Sequence, residues 1–338
     1  MNGAKNVDEN LLEGKSLLSL DHIREGELLV SCAGIVKLNM TLPIEKTNIL
    51  EKYKSFKIKI TGLLGGHSGN DIHVRANSNM LMGRLLNEIS NNIELYIYNM
   101  VGGLKANAIP RENETIIFID SNDKEKLRDI CSEYNLIFKN ELKDFDKEIE
   151  VVLDEVNITE NVQVLDNEST QNLIAILNII PNGIQTMSRR IIDLPESSLN
   201  VGVINIIDNI VKIDITMRSS VKSLEEAILN KLKQLSLIFN MTIEIEAVSP
   251  LLAFKEKSKL RDLCIDIYKK LYGREPEQKS FHAIVEGGVF SSKIKDLDML
   301  LISPNLYDIH SPNERLSISS TQKIWKYVLE VLKEFGKW

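Results

Sequence analysis

Phe56-Lys57-Ile58-Lys59-Ile60-Thr61-Gly62-Leu63-Leu64-Gly65-Gly66-His67-Ser68-Gly69 is the stretch on which the fold turns. Apolar residues alternate with lysines from Phe56 to Ile60, the period of a strand buried on one face. The glycines between 62 and 69 permit a tight turn and a close approach to the backbone. Met80, Met82, Leu85, Leu86 and Ile89 then recur at helical spacing. Strands are predicted at 93–98 and 114–119, a helix at 124–134 and a closing strand at 148–153. The order is β-α-β-β-α-β, the ferredoxin-like arrangement.

Working outward, a similar order is predicted to follow. A helix over 170–180 is stopped by Pro181. Residues 201–206 and 210–216 form a hairpin across Asp208-Asn209. Ser223-Leu224-Glu225-Glu226 has the pattern of a capping box and opens an amphipathic helix, before a strand at 241–247. Residues from about 40 to 250 therefore read as two α+β units in tandem. The chain ends differ from this middle. Short apolar strands at 16–20 and 28–30 flank Asp21. A helix at 261–272, a continuous apolar strand at 299–302 and a helix at 321–335 close the chain. The expected fold is an incomplete α/β domain, from residues 1–38 and 251–338, with an inserted α+β domain of two ferredoxin-like units at 39–250.

The composition excludes some classes of function. The chain has 338 residues and a net charge of -7, which argues against nucleic acid as a partner, since that needs a basic surface. Cys32, Cys131 and Cys264 form no CxxC or zinc-ribbon pattern, which suits a reduced, cytoplasmic protein. No apolar run of about 18 residues suggests a membrane span.

Several residues are candidates for chemistry. His67 is presented on its glycine loop rather than packed in a core; a plain surface loop is the competing explanation. His310 lies in Tyr307-Asp308-Ile309-His310-Ser311-Pro312-Asn313, a loop after a buried strand, where α/β sheets place ligands. Asp21 also follows an apolar strand, so Asp21 and His310 could meet at one sheet edge. A carboxylate and an imidazole suit zinc, but a catalytic zinc usually takes three protein ligands, and no HExxH, H-x-D or H-x-H pair supplies the rest. Glu25 and Glu27 read as a solvated acidic turn. Arg218, past an alternating strand, could clamp a carboxylate, and Asn107 could donate to a substrate carbonyl. Glu286-Gly287-Gly288 reads as a glycine turn able to bind a carboxylate through its N–H groups or an ammonium through Glu286. Asp71 and His73 would share one side of an extended segment and read as structural.

In order along the chain, these segments resemble the aminoacyl-histidine (Xaa-His, β-Ala-His) dipeptidases. The most specific stretches are Gly65-Gly66-His67-Ser68-Gly69 with Asp71-Ile72-His73, and His310-Ser311-Pro312-Asn313-Glu314-Arg315. Leu20-Asp21, Ser31-Cys32-Ala33-Gly34, Asn107 to Glu112, Pro195 to Asn200, Arg218-Ser219-Ser220 and His282 to Phe290 complete the series. The resemblance implies a cytoplasmic di-zinc peptidase whose inserted domain is a lid over the catalytic domain. It implies Asp21 as a ligand of one zinc and His310 of the other, and His67 as the group that stabilises the oxyanion. It also implies that Asn107 and Arg218 hold the dipeptide, Arg218 by its C-terminal carboxylate, with Glu286, Gly287 and Gly288 as a further substrate-binding turn. The family's H-x-D pair, bridging Asp and Glu-Glu pair are not in this sequence, so the resemblance implies a chain that begins after them. Ile35 and Ile284 stand where relatives often have glycine. Two functions are carried forward: a zinc-dependent dipeptidase for Xaa-His substrates, or an inactive remnant that still binds peptide or amino acid through its lid. A homodimer or a complementary upstream polypeptide is the expected partner.

Overall fold

The computed structural model describes residues 2–158, 162–189, 191, 194–309 and 311–337. Most of the chain is organised around one large antiparallel sheet. Its strands run in the order Glu150–Val156, Tyr53–Thr61, Asn113–Asp120, Leu95–Gly102, Pro195–Ile207, Ile210–Ser219, Gly34–Pro43 and Thr242–Ser249. The short strand Gly183–Met187 adds to Pro195–Ile207.

Two β-α-β-β-α-β units share this sheet. The first comprises Tyr53–Thr61, helix Ser78–Asn92, Leu95–Gly102, Asn113–Asp120, helix Lys124–Glu141 and Glu150–Val156. The second comprises Gly34–Pro43, helix Asn167–Ile179, Pro195–Ile207, Ile210–Ser219, helix Lys222–Ile238 and Thr242–Ser249. The units are nested, not in tandem, because the whole first unit lies between the opening strand and the first helix of the second. Gly34–Pro43 is therefore a central strand of the large sheet, paired along its length with Ile210–Ser219. A domain boundary after residue 38 would cut through it. Val36, Leu38, Met40 and Leu42 are its buried apolar row, two residues apart as the pleat requires.

The units meet where their second strands pair, Gly102 with Ile204 and Val101 with Asn205. Helices Ser78–Asn92 and Asn167–Ile179 pack on each other across this seam. One apolar core runs beneath both units, with Met82, Leu85, Ile97, Leu173, Ile204 and Ile213 fully buried. One helix start departs from expectation. Lys222–Ile238 is capped by Val221 without a side-chain bond, so Ser223 lies inside the first turn and no capping box forms. The local bonds come instead from Ser219, whose hydroxyl donates to the Val221 carbonyl at 2.8 Å and accepts from the Val221 amide at 3.1 Å.

The chain ends build a second sheet, in the order Ser16–Ser19, Asp298–Leu301, Glu27–Cys32, Glu277–Phe281. It is mixed rather than wholly parallel. Ser16–Ser19 and Asp298–Leu301 run parallel, as do Glu27–Cys32 and Glu277–Phe281, but the two pairs join antiparallel at Leu301 and Leu29. Leu28, Val30 and Leu300 face helices Lys259–Tyr272 and Ile318–Phe335, whereas Leu29, Met299 and Leu301 face the side of helix Glu286–Lys293. Burial on both faces explains the continuous apolar run at 299–302. Among the described residues no helix is long and apolar enough to cross a membrane.

The glycine loop that carries His67 is buttressed from below. Asp146 is fully buried, and its carboxylate accepts from the Leu64 amide at 2.8 Å and the Ala76 amide at 3.0 Å. One side chain thus fastens both ends of the loop. Asp146→Ala would leave two amides without acceptors, a loss of about 2–6 kcal/mol at ~1–3 kcal/mol for each such group. Urea denaturation followed by circular dichroism reads this directly; an unchanged midpoint would show that the loop is not held there.

Candidate functional site

Arg218 closes the Ile210–Ser219 strand and pairs with Ser198 on one side and Ile35 on the other. Its side chain reaches the junction of the two sheets and is only 2% exposed. Nε donates to Ser68 Oγ at 3.3 Å and an Nη donates to the His282 carbonyl at 3.4 Å. Both are long for a cation, whose charge-assisted bonds usually measure ~2.7–2.9 Å. No carboxylate among the described residues compensates it, and burial alone pushes its pKa down to about 10. A buried cation without a counter-charge is costly, so the position calls for an anion.

His67 stands at the mouth of this pocket. The Asp71 carboxylate accepts from the His67 amide at 2.8 Å, and the His67 carbonyl accepts from the amides of Asn70 and Asp71. Residues 68–74 are therefore a run of turns rather than an extended segment. Asp71 serves to close the loop, while His73 is exposed. The His67 ring sits between two donors. The Gly69 amide lies 3.3 Å from Nδ1, and an Arg218 Nη lies 3.2 Å from Nε2. A neutral imidazole has one acceptor nitrogen and a guanidinium only donates, so in either tautomer one of these contacts sets donor against donor. An anionic oxygen between Nε2–H and the guanidinium would resolve it. Burial, and then the Arg218 charge, lower the His67 pKa below its ordinary value; Asp71 and Asn70 oppose this.

His282 follows the Glu277–Phe281 strand and is 7% exposed. Its Nε2 and Ser198 Oγ share a hydrogen bond of 2.7 Å, while Nδ1 has no partner among the described residues. Burial, helped by the Arg218 charge and opposed by the Pro195 backbone, pushes its pKa down to about 3. Ser68, Ser198 and His282 thus join Arg218 and His67, and none had been singled out from the sequence as a site residue. The one available signal was strand period, which puts Ser198 on the same face as Asn200 in Pro195–Ile207.

Asn107 lies in the adjoining loop. Its carbonyl accepts from the Ser68 amide at 3.1 Å, and His67 pairs with Ala108 in a short ladder. The Asn107 side chain itself makes no hydrogen bond among the described residues. Arg218, His67 and Asn107 are therefore brought together. Glu286-Gly287-Gly288 is not a glycine turn but the first turn of helix Glu286–Lys293. Packing explains the glycines: a Cβ at Gly288 would sit 2.1 Å from the Pro250 carbonyl oxygen, and one at Gly287 3.0 Å from Met299. The Gly288 amide is also taken, by the Val285 carbonyl at 3.2 Å.

Asp21 is exposed, two residues past Ser16–Ser19, and its amide donates to Ser19 Oγ at 3.2 Å. The parallel pairing of Ser19 with Leu301 sends residues 302–309 out at the same sheet end. His310 lies outside the described residues. Among those described, no group of three His, Cys, Asp or Glu is placed to hold a metal ion. The described side chains do not by themselves make a zinc site.

Known proteins match this arrangement. The sequence profile of the M20 peptidase dimerisation domain matches residues 50–146, most of the first unit. The cytosol non-specific dipeptidase of Escherichia coli (strain K12) is 31% identical over 335 residues, which cover 99% of this chain and 69% of that protein. The chain belongs to the M20 dipeptidases. Within them, the aminoacylhistidine dipeptidase of Vibrio alginolyticus superposes with a TM-score of 0.93 at 31% identity, over 99% of this chain and 68% of that one. The nested pair of units and the mixed sheet are thus an M20 dipeptidase architecture. The resemblance first seen at Gly65-Gly66-His67-Ser68-Gly69 extends over nearly the whole chain.

The buried imidazole of this M20 dipeptidase has a consequence for acid stability. The folded chain keeps His282 neutral down to about pH 3, while the unfolded chain takes up a proton near ~6.5. The contribution is complete above ~6.5 and is lost as pH falls towards 3, at about 1.4 kcal/mol per pH unit. His282→Gln should remove that slope from the unfolding free energy. Parallel lines for both proteins between about pH 6.5 and 4 would contradict it.

Proposed function

We propose that this chain recognises dipeptides of the Xaa-His type through the Arg218 pocket, as a member of a zinc-dependent dipeptidase family. The observation that carries it is the buried guanidinium of Arg218, without a counter-charge among the described residues, set against His67. A free C-terminal carboxylate supplies the missing charge, and two N–H groups of a guanidinium match its two oxygens. His67 Nε2–H and the Asn107 amide are donors beside it, suited to the oxygen of the scissile carbonyl, where negative charge develops during hydrolysis. Glu286, at the start of its helix, is proposed to meet the substrate's ammonium group. Asp21 and His310 are proposed as one protein ligand to each of two zinc ions. Such ions, when bound, polarise the peptide carbonyl and acidify a water molecule. The match of the first unit to a dimerisation domain supports a homodimer, which light scattering on the purified chain would detect.

A second function uses the same pocket without turnover, as a dipeptide-binding module. It is favoured by the lack of a grouped metal-ligand set among the described residues. Hydrolysis of β-alanyl-histidine with added zinc separates the two. Turnover abolished by Asp21→Ala or His310→Ala supports the peptidase, and binding without turnover supports the module.

Both functions need the carboxylate clamp. In the unaltered chain the dipeptide acid should bind at least about tenfold more tightly than its C-terminal amide, since a hydrogen bond to a charged group contributes ~1.5–3 kcal/mol. Arg218→Met should abolish that preference. The variant should be as stable as the parent or more so, because replacing a buried charge by an apolar side chain is often stabilising. Calorimetric titration and thermal melting test the two halves together; retained discrimination in a folded Arg218→Met chain would sink the assignment.

A further inference from the structure

Asn200 lies on the Pro195–Ile207 strand and is 1% exposed. Its Nδ2 donates to the Ala106 carbonyl at 2.9 Å and to the Ala108 carbonyl at 2.9 Å. These two carbonyls flank Asn107. Both amide hydrogens are spent on the loop, and the Asn200 Oδ1 faces the Asn77 Nδ2 at 3.4 Å, which fixes which way round the amide sits. Asn77 is itself anchored, since it donates to the Val201 carbonyl at 3.0 Å and caps helix Ser78–Asn92. Gly202 completes the platform: a Cβ there would meet the Ala106 carbonyl oxygen at 2.4 Å, so the loop lies directly on bare backbone. The first unit's loop is therefore seated on the second unit's strand, while the Asn107 side chain has no hydrogen-bond partner among the described residues. A backbone clamped on both sides of a free amide is the arrangement of a preorganised ligand group.

We propose that Asn200 is a positioning residue for substrate recognition: it pins the backbone on each side of Asn107 and so holds the Asn107 amide in register with His67 and Arg218. This rests on Asn107 being a substrate-holding residue.

Asn200→Asp tests it. The variant has the same shape, but an ionised carboxylate has no hydrogens for the two carbonyls and repels them. Its protonated form restores one donor, and burial raises the pKa at which that happens. Two measurements on the full chain are compared at about pH 7.5 and about pH 5.5, with the unaltered protein in parallel. The first is amide hydrogen exchange at Ser68 and across 103–109. Protection in the variant should fall at least about tenfold at the higher pH, relative to the parent, and recover in part at the lower, with helix Lys259–Tyr272 unaffected. The second is the dissociation constant of β-alanyl-histidine, which should rise about tenfold or more and recover in the same direction. A merely structural loss would not be rescued by acid.

Unchanged protection overturns the proposal, as does lost protection with unchanged affinity. If the unaltered chain does not bind the dipeptide, the proposed function fails, while the exchange measurement still decides whether Asn200 holds the loop. Should Asn200→Asp not fold, Asn200→Ser keeps one donor and should show an intermediate loss of protection; full protection would again overturn the proposal.

Discussion

A positive charge held away from water, with no negative charge beside it among the described residues, organises the pocket of this molecule. Removing an ion from water is expensive, and proteins usually offset that with a partner. Around Arg218 the available groups are a serine hydroxyl, a backbone carbonyl and an imidazole, all at the long end of hydrogen bonding. Two histidines nearby have their pKa values lowered, so the region does not add further positive charge at neutral pH. Fold stability alone does not account for such a site. Under the proposed function it is a place left under-satisfied for a ligand that brings its own charge, the familiar trade between stability and activity.

Much of the surrounding structure keeps that pocket in shape. The loop bearing His67 is fastened at both ends by the buried Asp146 carboxylate and closed by Asp71. The loop bearing Asn107 is fastened by Asn200. Neither loop belongs to the strand that carries Arg218, and His282 comes from the smaller sheet. With Ser198 on the Pro195–Ile207 strand, five separate parts of the chain converge on one pocket. The seam between the two units is polar at its centre, with Asn77, Asn79, Asn113 and Asn200 bonded to one another and to backbone. An apolar seam would bury area but could slide; directional amides give a single register.

Residue types and spacing made part of this visible before any coordinates. The alternation from Phe56 to Ile60 and the helical period around Leu85 reflect local rules, and both elements formed where that periodicity put them. The strand Gly34–Pro43 carries a clear alternation in Val36, Leu38, Met40 and Leu42, but alternation does not say which sheet a strand joins. The Ser223 capping box failed because the helix begins at Lys222 with Val221 as its cap, which puts Ser223 inside the first turn. Gly287 and Gly288 looked like a turn because glycine reports a steric need without saying whether the need is conformation or packing. Here it was packing against Pro250. Nesting was invisible because strand order is a long-range property. The burial of Arg218 was likewise out of reach: an arginine at a strand end is clamp or surface ornament according to what the rest of the chain brings over it.

The nested order has a consequence for how the chain becomes structured. The first unit is continuous in sequence from Tyr53 to Val156, so all four of its strands are made together in one segment. The second has its opening strand, Gly34–Pro43, made before the first unit and its remaining elements made after it. During synthesis that strand emerges before the first unit with both long edges bare, and its pairing partners at 210–219 and 242–249 emerge only after that unit. Closing so long a loop is slow, and a waiting apolar strand is open to wrong partners. Quick assembly of the first unit shortens the effective distance the two ends must search, so the unit that presents His67 and Asn107 also acts as the internal staple that lets the Arg218 strand find its place.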